Sequence, residues 1–216
     1  MSKPDFDVVV VGGGPSGATA ANEMALSGAR VLLLERGFRI KPCGGAIPPC
    51  LLDEFDIPTD LLVARIRSAR MISPSEKTVD MPIDNTFVGM VNRDEFDPWL
   101  RARAADNGAD VRSGAFKSLV YDDAGLIHLT YQAKDQRAES VTVTSRYVIG
   151  ADGARSGVAR QAIDCADRLK WVFAYHEIID APKVTSEHYD AERCDVWYQG
   201  ELSPDFYAWV FPHGSH

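Results

Sequence analysis

The chain has 216 residues, 45% hydrophobic and 25% charged, the balance of a soluble globular protein with room for one large or two small domains. A formal net charge of −8 argues against a nucleic-acid partner, which needs a basic face, but leaves room for a local basic pocket around a pyrophosphate. The four cysteines (Cys43, Cys50, Cys165, Cys194) form no CxxC pair and no metal-ligand spacing with the five histidines, so a reducing compartment is expected and a metal site is not.

In chain order, Phe6–Val11 is a β-branched apolar run of the kind that forms a parallel strand covered on both faces. It starts too near Met1 to leave room for a signal or transit peptide, and no apolar run reaches the roughly 20 residues of a membrane span. A cytoplasmic chain with at most peripheral membrane contact is therefore expected. A glycine-rich turn, a small-residue helix over 18–27 ending at Gly28, and a second buried strand over 30–35 complete a βαβ unit. Residues 37–49 form a Gly/Pro-rich loop too long for a simple connection, hence a functional one.

Strands are expected over 68–73, 78–81 and 87–92, then a helix over 93–107 with Leu100, Ala104 and Ala105 on its inner face. Several strands follow between 111 and 144, with turns at 122–125 and 134–138. A further buried strand over 147–150 leads to a short helix near 156–163, and 172–179, 195–199 and 206–211 are strand-like. This order predicts an α/β chain: a Rossmann-type nucleotide-binding domain over 1–67 and 93–165, and an antiparallel β-rich domain over 68–92 and 166–216.

Gly12-x-Gly14-x-x-Gly17 lies directly between the first strand and the first helix, the context in which the pattern means dinucleotide binding. Gly12 permits the tight turn, Gly14 lets backbone approach a pyrophosphate, Gly17 lets helix and strand pack closely, and the helix N-terminus offers N–H groups to the anion. Glu35 ends the second strand, where a carboxylate can accept hydrogen bonds from an adenosine ribose. Tyr207, Trp209 and Phe211 alternate and so face one side of a strand, either as core filler or as a wall for an apolar ligand. Cys43, followed by two glycines, is either a small buried hydrophobe or a thiol at a site where backbone comes close to a ligand; Lys41 is either solvated or an anion ligand.

Two segments resemble FAD-dependent hydroxylases and their relatives: Asn92-Arg93-x-x-Phe96-Asp97-x-x-Leu100, like their arginine helix, and Val148-Ile149-Gly150-Ala151-Asp152-Gly153-x-x-Ser156, like their Asp-Gly motif. Lys41-Pro42-Cys43-Gly44-Gly45-Ala46-Ile47-Pro48 and Pro204-x-x-Tyr207-x-Trp209-x-Phe211-Pro212 resemble the geranylgeranyl reductase family, including its chlorophyll and bacteriochlorophyll branch. The resemblance implies a hydroxylase-like FAD-binding domain with a β-rich substrate domain. It implies an enzyme that uses NADPH and FAD to saturate double bonds of a geranylgeranyl chain, as the diphosphate or a (bacterio)chlorophyll ester, in photosynthetic pigment synthesis, peripheral at the photosynthetic membrane.

By the same resemblance Gly12, Gly14, Pro15, Ser16, Gly17, Glu35, Arg36, Arg93, Asp152 and Gly153 bind FAD. Cys43, Gly44 and Gly45 are the catalytic loop, and Lys41, Tyr207, Trp209 and Phe211 meet the substrate. Arg93 as a solvated helix residue and Asp152-Gly153 as an ordinary turn are the plainer alternatives. The family's third flavin motif contains a Gly-Asp step, and none of the 17 glycines here precedes an aspartate. An incomplete flavin site, truncated at the C-terminus, is therefore expected, with an FAD monooxygenase or an inactive FAD-binding fragment as rival readings.

Overall fold

A computed structural model describes residues 3–37, 41–134 and 140–215. Its first elements are β1 (Phe6–Val11), α1 (Pro15–Leu26), β2 (Val31–Glu35), β3 (Ala46–Ile47) and α2 (Pro49–Glu54). Four short strands follow: β4 (Leu62–Ile66), β5 (Ser68–Ile72), β6 (Thr78–Pro82) and β7 (Val88–Val91). After α3 (Arg93–Asp106) come the longer strands β8 (Asp110–Tyr121), β9 (Ile127–Ala133) and β10 (Ser140–Gly150). The last elements are α4 (Gly157–Ala162), β11 (Arg193–Trp197) and β12 (Ala208–Val210).

The chain divides into two compact units, residues 1–39 with 97–171 and residues 40–96 with 172–216. In the first, β1 lies between β2 and β10, parallel to both, and β2 pairs in parallel with β8. β8 and β10 each serve twice: Asp110–Ser113 pair with β2 while Gly114–Tyr121 pair with β9, and Ser140–Ser145 pair with β9 while Ser145–Gly150 reach β1. The pairing therefore closes into a ring, β1-β10-β9-β8-β2. Val9, Val11, Leu32, Leu34, Leu129, Tyr131, Val143 and Val158 form its core.

In the second unit β3 and β4 flank β7 in an antiparallel sheet, and a second sheet runs β12-β11-β5-β6. Its β5–β11 pair is parallel, a departure from an all-antiparallel domain. Register places Arg70 opposite both Asp80 and Asp195, and the buried Arg193 donates to Asp195 over 2.6 and 3.0 Å. The Asp80 carboxyl lies below its usual range because Arg70 donates to it over 2.6 and 2.9 Å.

Several expectations are corrected. Residues 40–67 group with the second unit, because β3 and β4 pair with β7. Residues 147–150 are the end of the long strand β10, not a separate buried one, and Tyr147 is 68% exposed. The inner face of α3 is made by Phe96, Leu100, Arg101 and Ala104, which leaves Ala105 turned outward. Residues 172–179 form no strand: β-propensity without a partner does not hold a strand, and Phe173, Tyr175, Ile178 and Ile179 are exposed. Pairing with β5 sets the ends of β11 two residues earlier than expected. Of the turn expected at 134–138, residues 135–138 lie outside the described residues, as do 38–40 of the long loop.

Side-chain bonds also join the strands at the start of the parallel sheet. Asp7 accepts from the Arg30 backbone N–H and guanidinium at 3.0–3.1 Å, and Asp5 accepts from the Thr144 N–H and hydroxyl at 2.8 Å. Both carboxyls are thereby held below their ordinary value of 3.8, Asp7 chiefly by the Arg30 side chain and Asp5 by the Thr144 backbone. A carboxyl depressed in the folded state contributes stability that is complete above the unfolded value and lost as pH falls through the folded one. Urea midpoints should therefore drop as pH falls below about 4, and Asp7→Asn should flatten that dependence; an unchanged slope would refute the assignment.

Candidate functional site

The first unit builds a backbone cradle at the carboxyl ends of β1 and β10. Ala151 N–H donates to the Val11 carbonyl at 2.7 Å, and Gly12 N–H to the Leu34 carbonyl at 2.8 Å, so the turn after β1 is tied to both neighbouring strands. Gly12 has φ +105°, and a Cβ there would collide with the Ala151 carbonyl. A Cβ on Gly17 would collide with the Gly12 carbonyl oxygen. These two glycines are demanded by the fold itself.

Gly13 is held at both ends. Its N–H donates to Glu35 Oε2 at 2.6 Å, and its carbonyl accepts from Arg101 Nη1 at 2.9 Å. Glu35 Oε1 accepts the Gly37 N–H at 2.9 Å. A carboxylate has about four lone-pair directions, so Glu35 keeps acceptor capacity for a ribose hydroxyl while it shapes the loop.

Gly14 differs from its neighbours. Its backbone is extended (φ −74°, ψ −178°), a conformation open to any residue, and a Cβ built on it would meet nothing within 4 Å. The chain's own packing gives no reason for glycine there; a ligand pressed against the backbone does. Gly14 is also the N-cap of the 12-residue helix α1, without a side-chain cap, and Pro15 opens the first turn. The first-turn N–H groups, which include that of Ser16, form the anion-binding end of a helix. The residues present thus fit a dinucleotide pyrophosphate.

The Asp152 carboxylate has partners within the chain. It accepts from the Ser156 hydroxyl and from the N–H groups of Gly157 (2.6 Å) and Val158 (3.3 Å), so it caps α4, with Ser156 accepting from Ala159 N–H at 2.9 Å. Gly153, at φ +86°, makes the turn between. The loop, rather than the carboxylate, abuts Gly12. Arg36 is exposed beside the cradle's Glu35. Arg93 is half-buried at the start of α3 and Lys41 is exposed; both belong to the second unit.

The second unit contains an aromatic cavity of about 220 Å³ lined by Pro42, Cys43, Gly44, Ala174, Phe206, Tyr207, Trp209 and Phe211. Residues far apart in sequence, the glycine loop and the aromatic strand, thus share one wall. Phe206 stacks on Tyr207 at 4.1 Å between ring centroids, and Tyr207 meets Trp209 edge-on at 5.9 Å. A Cβ on Gly44 would collide with the Phe211 ring, so only glycine lets the loop lie against it. Cys43 is exposed, not a core hydrophobe, and its sulfur accepts the Gly45 N–H at 3.5 Å. Burial, with Asp195 adding to it, pushes the Cys194 thiol up to about 12, which makes that cysteine inert.

Three functional candidates escape the sequence reading. Gly13 sits at a variable position of the glycine pattern. Arg101 looks like a solvent-side arginine, since on the helical wheel it lies past the edge of the Phe96–Leu100–Ala104 stripe, yet it is buried. His213 follows the aromatic signature, and its ring lies 3.0 Å from both the Gly44 carbonyl oxygen and the Asn92 side-chain oxygen.

Comparison with known proteins places this geometry in a family. A model described as FAD binding domain matches residues 61–194, and one described as FAD dependent oxidoreductase matches 7–61. Geranylgeranyl diphosphate reductase of Rhodobacter capsulatus is 53% identical over 97% of this chain and 52% of its own length. The chloroplastic geranylgeranyl diphosphate reductase of Arabidopsis thaliana is 37% identical over 100% of this chain and 48% of its own. Among solved structures, a geranylgeranyl bacteriochlorophyll reductase-like protein from Thermoplasma acidophilum superposes with a TM-score of 0.77 at 27% identity, over 97% of this chain and 54% of that one. The chain therefore spans about half the length of the curated relatives it matches. With its glycine cradle, parallel sheet and matching family model, the chain belongs to the FAD binding domain family and is a homologue of the geranylgeranyl diphosphate reductases.

Proposed function

We propose that the whole protein is an NADPH-dependent reductase that saturates double bonds of a geranylgeranyl chain, with FAD held by the cradle and the prenyl chain by the aromatic cavity. The observation that carries this reading is the cavity wall itself, where Pro42, Cys43 and Gly44 line the same space as Phe206, Tyr207, Trp209 and Phe211. An isoprenoid offers only apolar surface and weak π-contacts, and a wall of rings supplies the matching surface. The relatives' names point to the same substrate class.

Bound FAD, once reduced by NADPH, would supply hydride equivalents. The chain's own residues would do the rest. Gly12, Gly14 and Gly17, with the α1 N-terminus at Pro15 and Ser16, would hold the pyrophosphate; Glu35 would take the ribose, with Arg36, Arg93 and the Asp152-Gly153 loop as further contacts. Lys41 would meet an anionic group, a diphosphate in the free substrate. An isolated alkene has no acidic hydrogen, so a proton must arrive opposite the hydride, and the Cys43 thiol, which lines the cavity, would supply it. A pigment ester as substrate would bring the enzyme to the surface of a photosynthetic membrane; no helix among the described residues is long and apolar enough to cross one.

Anaerobic turnover of the whole protein with NADPH and geranylgeranyl diphosphate should give products heavier by pairs of hydrogens. NADPH oxidation that requires oxygen and leaves the prenyl chain unsaturated would sink the reading. Trp209→Ala should raise KM for the prenyl substrate about tenfold, as expected for loss of ring contacts of about 1.5 kcal/mol, with FAD content unchanged. Loss of flavin from that variant would put Trp209 on the cofactor side instead.

Gly14→Val should leave the thermal midpoint of the FAD-free protein near wild type, because the position is extended and open, yet weaken FAD binding about a hundredfold or more. Gly17→Ala should instead destabilise the fold by about 1–3 kcal/mol through its clash with Gly12. A Gly14→Val protein that bound FAD normally in titration would remove the cradle from the argument.

A further inference from the structure

We propose that His213 is a positioning residue for Cys43: by holding the peptide between Gly44 and Gly45 it aims the Gly45 N–H at the Cys43 sulfur and fixes that wall of the aromatic cavity. A peptide unit is planar and rigid, so its carbonyl and N–H turn together. The carbonyl end of this unit, Gly44 O, lies 3.0 Å from His213 Nε2, and the N–H end, Gly45 N, lies 3.5 Å from Cys43 Sγ. Any rotation that released the sulfur would also break the imidazole bond.

The tautomer follows from the partners. A carbonyl only accepts, so Nε2 carries the proton and donates to Gly44. Nδ1 lies 3.0 Å from the Asn92 side-chain amide, which donates to the neutral ring once its oxygen and nitrogen are exchanged by rotation. Asn92 is itself anchored, since its backbone carbonyl accepts from Glu95 and Phe96 N–H at 3.1 and 2.9 Å in the first turn of α3. The ring also fills the space beside Gly45: a Cβ there would lie 2.8 Å from His213 Cε1. Gly45 has φ +67° and its carbonyl accepts from Val91 N–H at 3.0 Å. Two consecutive glycines have wide conformational freedom, and His213 on one side with Val91 on the other removes it.

The bearing on catalysis rests on the reading of the cavity as the reducing site; the bearing on Cys43 does not. The Gly45 N–H donates to the sulfur, so the loop's orientation sets how Cys43 Sγ is presented to the cavity and to an electrophile.

The test uses the whole protein with FAD and follows iodoacetamide labelling of the Cys43 peptide by mass spectrometry. Because Cys43 is already exposed, access does not limit the rate. His213→Asn keeps a polar group near Nδ1 but cannot reach Gly44, and should slow labelling about fivefold, equivalent to about 1 kcal/mol at 1.4 kcal/mol per tenfold. His213→Gln places an amide N–H where Nε2 was and should restore the wild-type rate. In turnover, His213→Asn should lower kcat with KM and the flavin spectrum unchanged, and His213→Gln should recover it. Labelling that is unchanged or faster in His213→Asn, or slowed equally in both variants, overturns the proposal. If His213→Asn fails to fold, His213→Gln decides alone: a wild-type labelling rate supports the proposal and a several-fold departure overturns it. A labelling pattern as expected in a protein with no prenyl reduction would leave His213 in its role and discard the reading of the cavity.

Discussion

A carbonyl oxygen of the first turn, that of Gly12, lies where a side chain of Gly17 would have to go, and the carbonyl of Ala151 lies where a side chain of Gly12 would have to go. Through these two missing side chains α1, β1 and the loop after β10 come into backbone contact, which no larger residue permits. Everything at the cradle depends on that approach. Glu35 and Arg101 can then grip Gly13 from its two sides, and Gly14 is left projecting with nothing over it. The open position is a product of the crowded ones.

The second unit uses glycine for the same end with different partners. Gly44 lies against the Phe211 ring, and Gly45 against His213 and the Val91 carbonyl, so a loop without side chains becomes one face of an aromatic cavity. The sheet that carries Trp209 keeps register partly through charge: Arg70 of β5, bonded to Asp80 of β6 and opposite Asp195 of β11, would be moved off both by a slip of one residue. Such pairs contribute more to uniqueness of pairing than to net stability.

Much of this was legible in the residues. The apolar runs of β1 and β2 and the glycine spacing between them specify the βαβ unit with local information alone. The aromatic alternation at 207, 209 and 211 gave the shared face of the cavity, although pairing covers only Ala208–Val210. What stayed hidden was non-local. Nothing in 147–150 shows that it continues a strand from Ser140, because the reason is the partner on each side: β9 for one half and β1 for the other. Residues 172–179 have strand composition yet form no strand. Arg101 and His213 do their work through carbonyl groups, which carry no residue identity, so no side-chain pattern announces them. That the Asp152 carboxylate also caps the N-terminus of α4 is likewise absent from its motif.

The partnership of β1 with β10 has a consequence for how the molecule comes into being. Asp5 and Thr144, which bond across it, are 139 residues apart, and the chain closes that loop at an entropic cost that grows only slowly with its length but is met before any of the contacts reward it. On a ribosome the βαβ segment emerges early, with its glycine turn facing a neighbour that has not yet been synthesised. Until Gly150 and Ala151 arrive, Gly12 lacks the Ala151 carbonyl it packs against, and the turn is tied to β2 alone. The complete cradle is thus built only once the later half of the first unit has been translated, however early its glycine turn emerges.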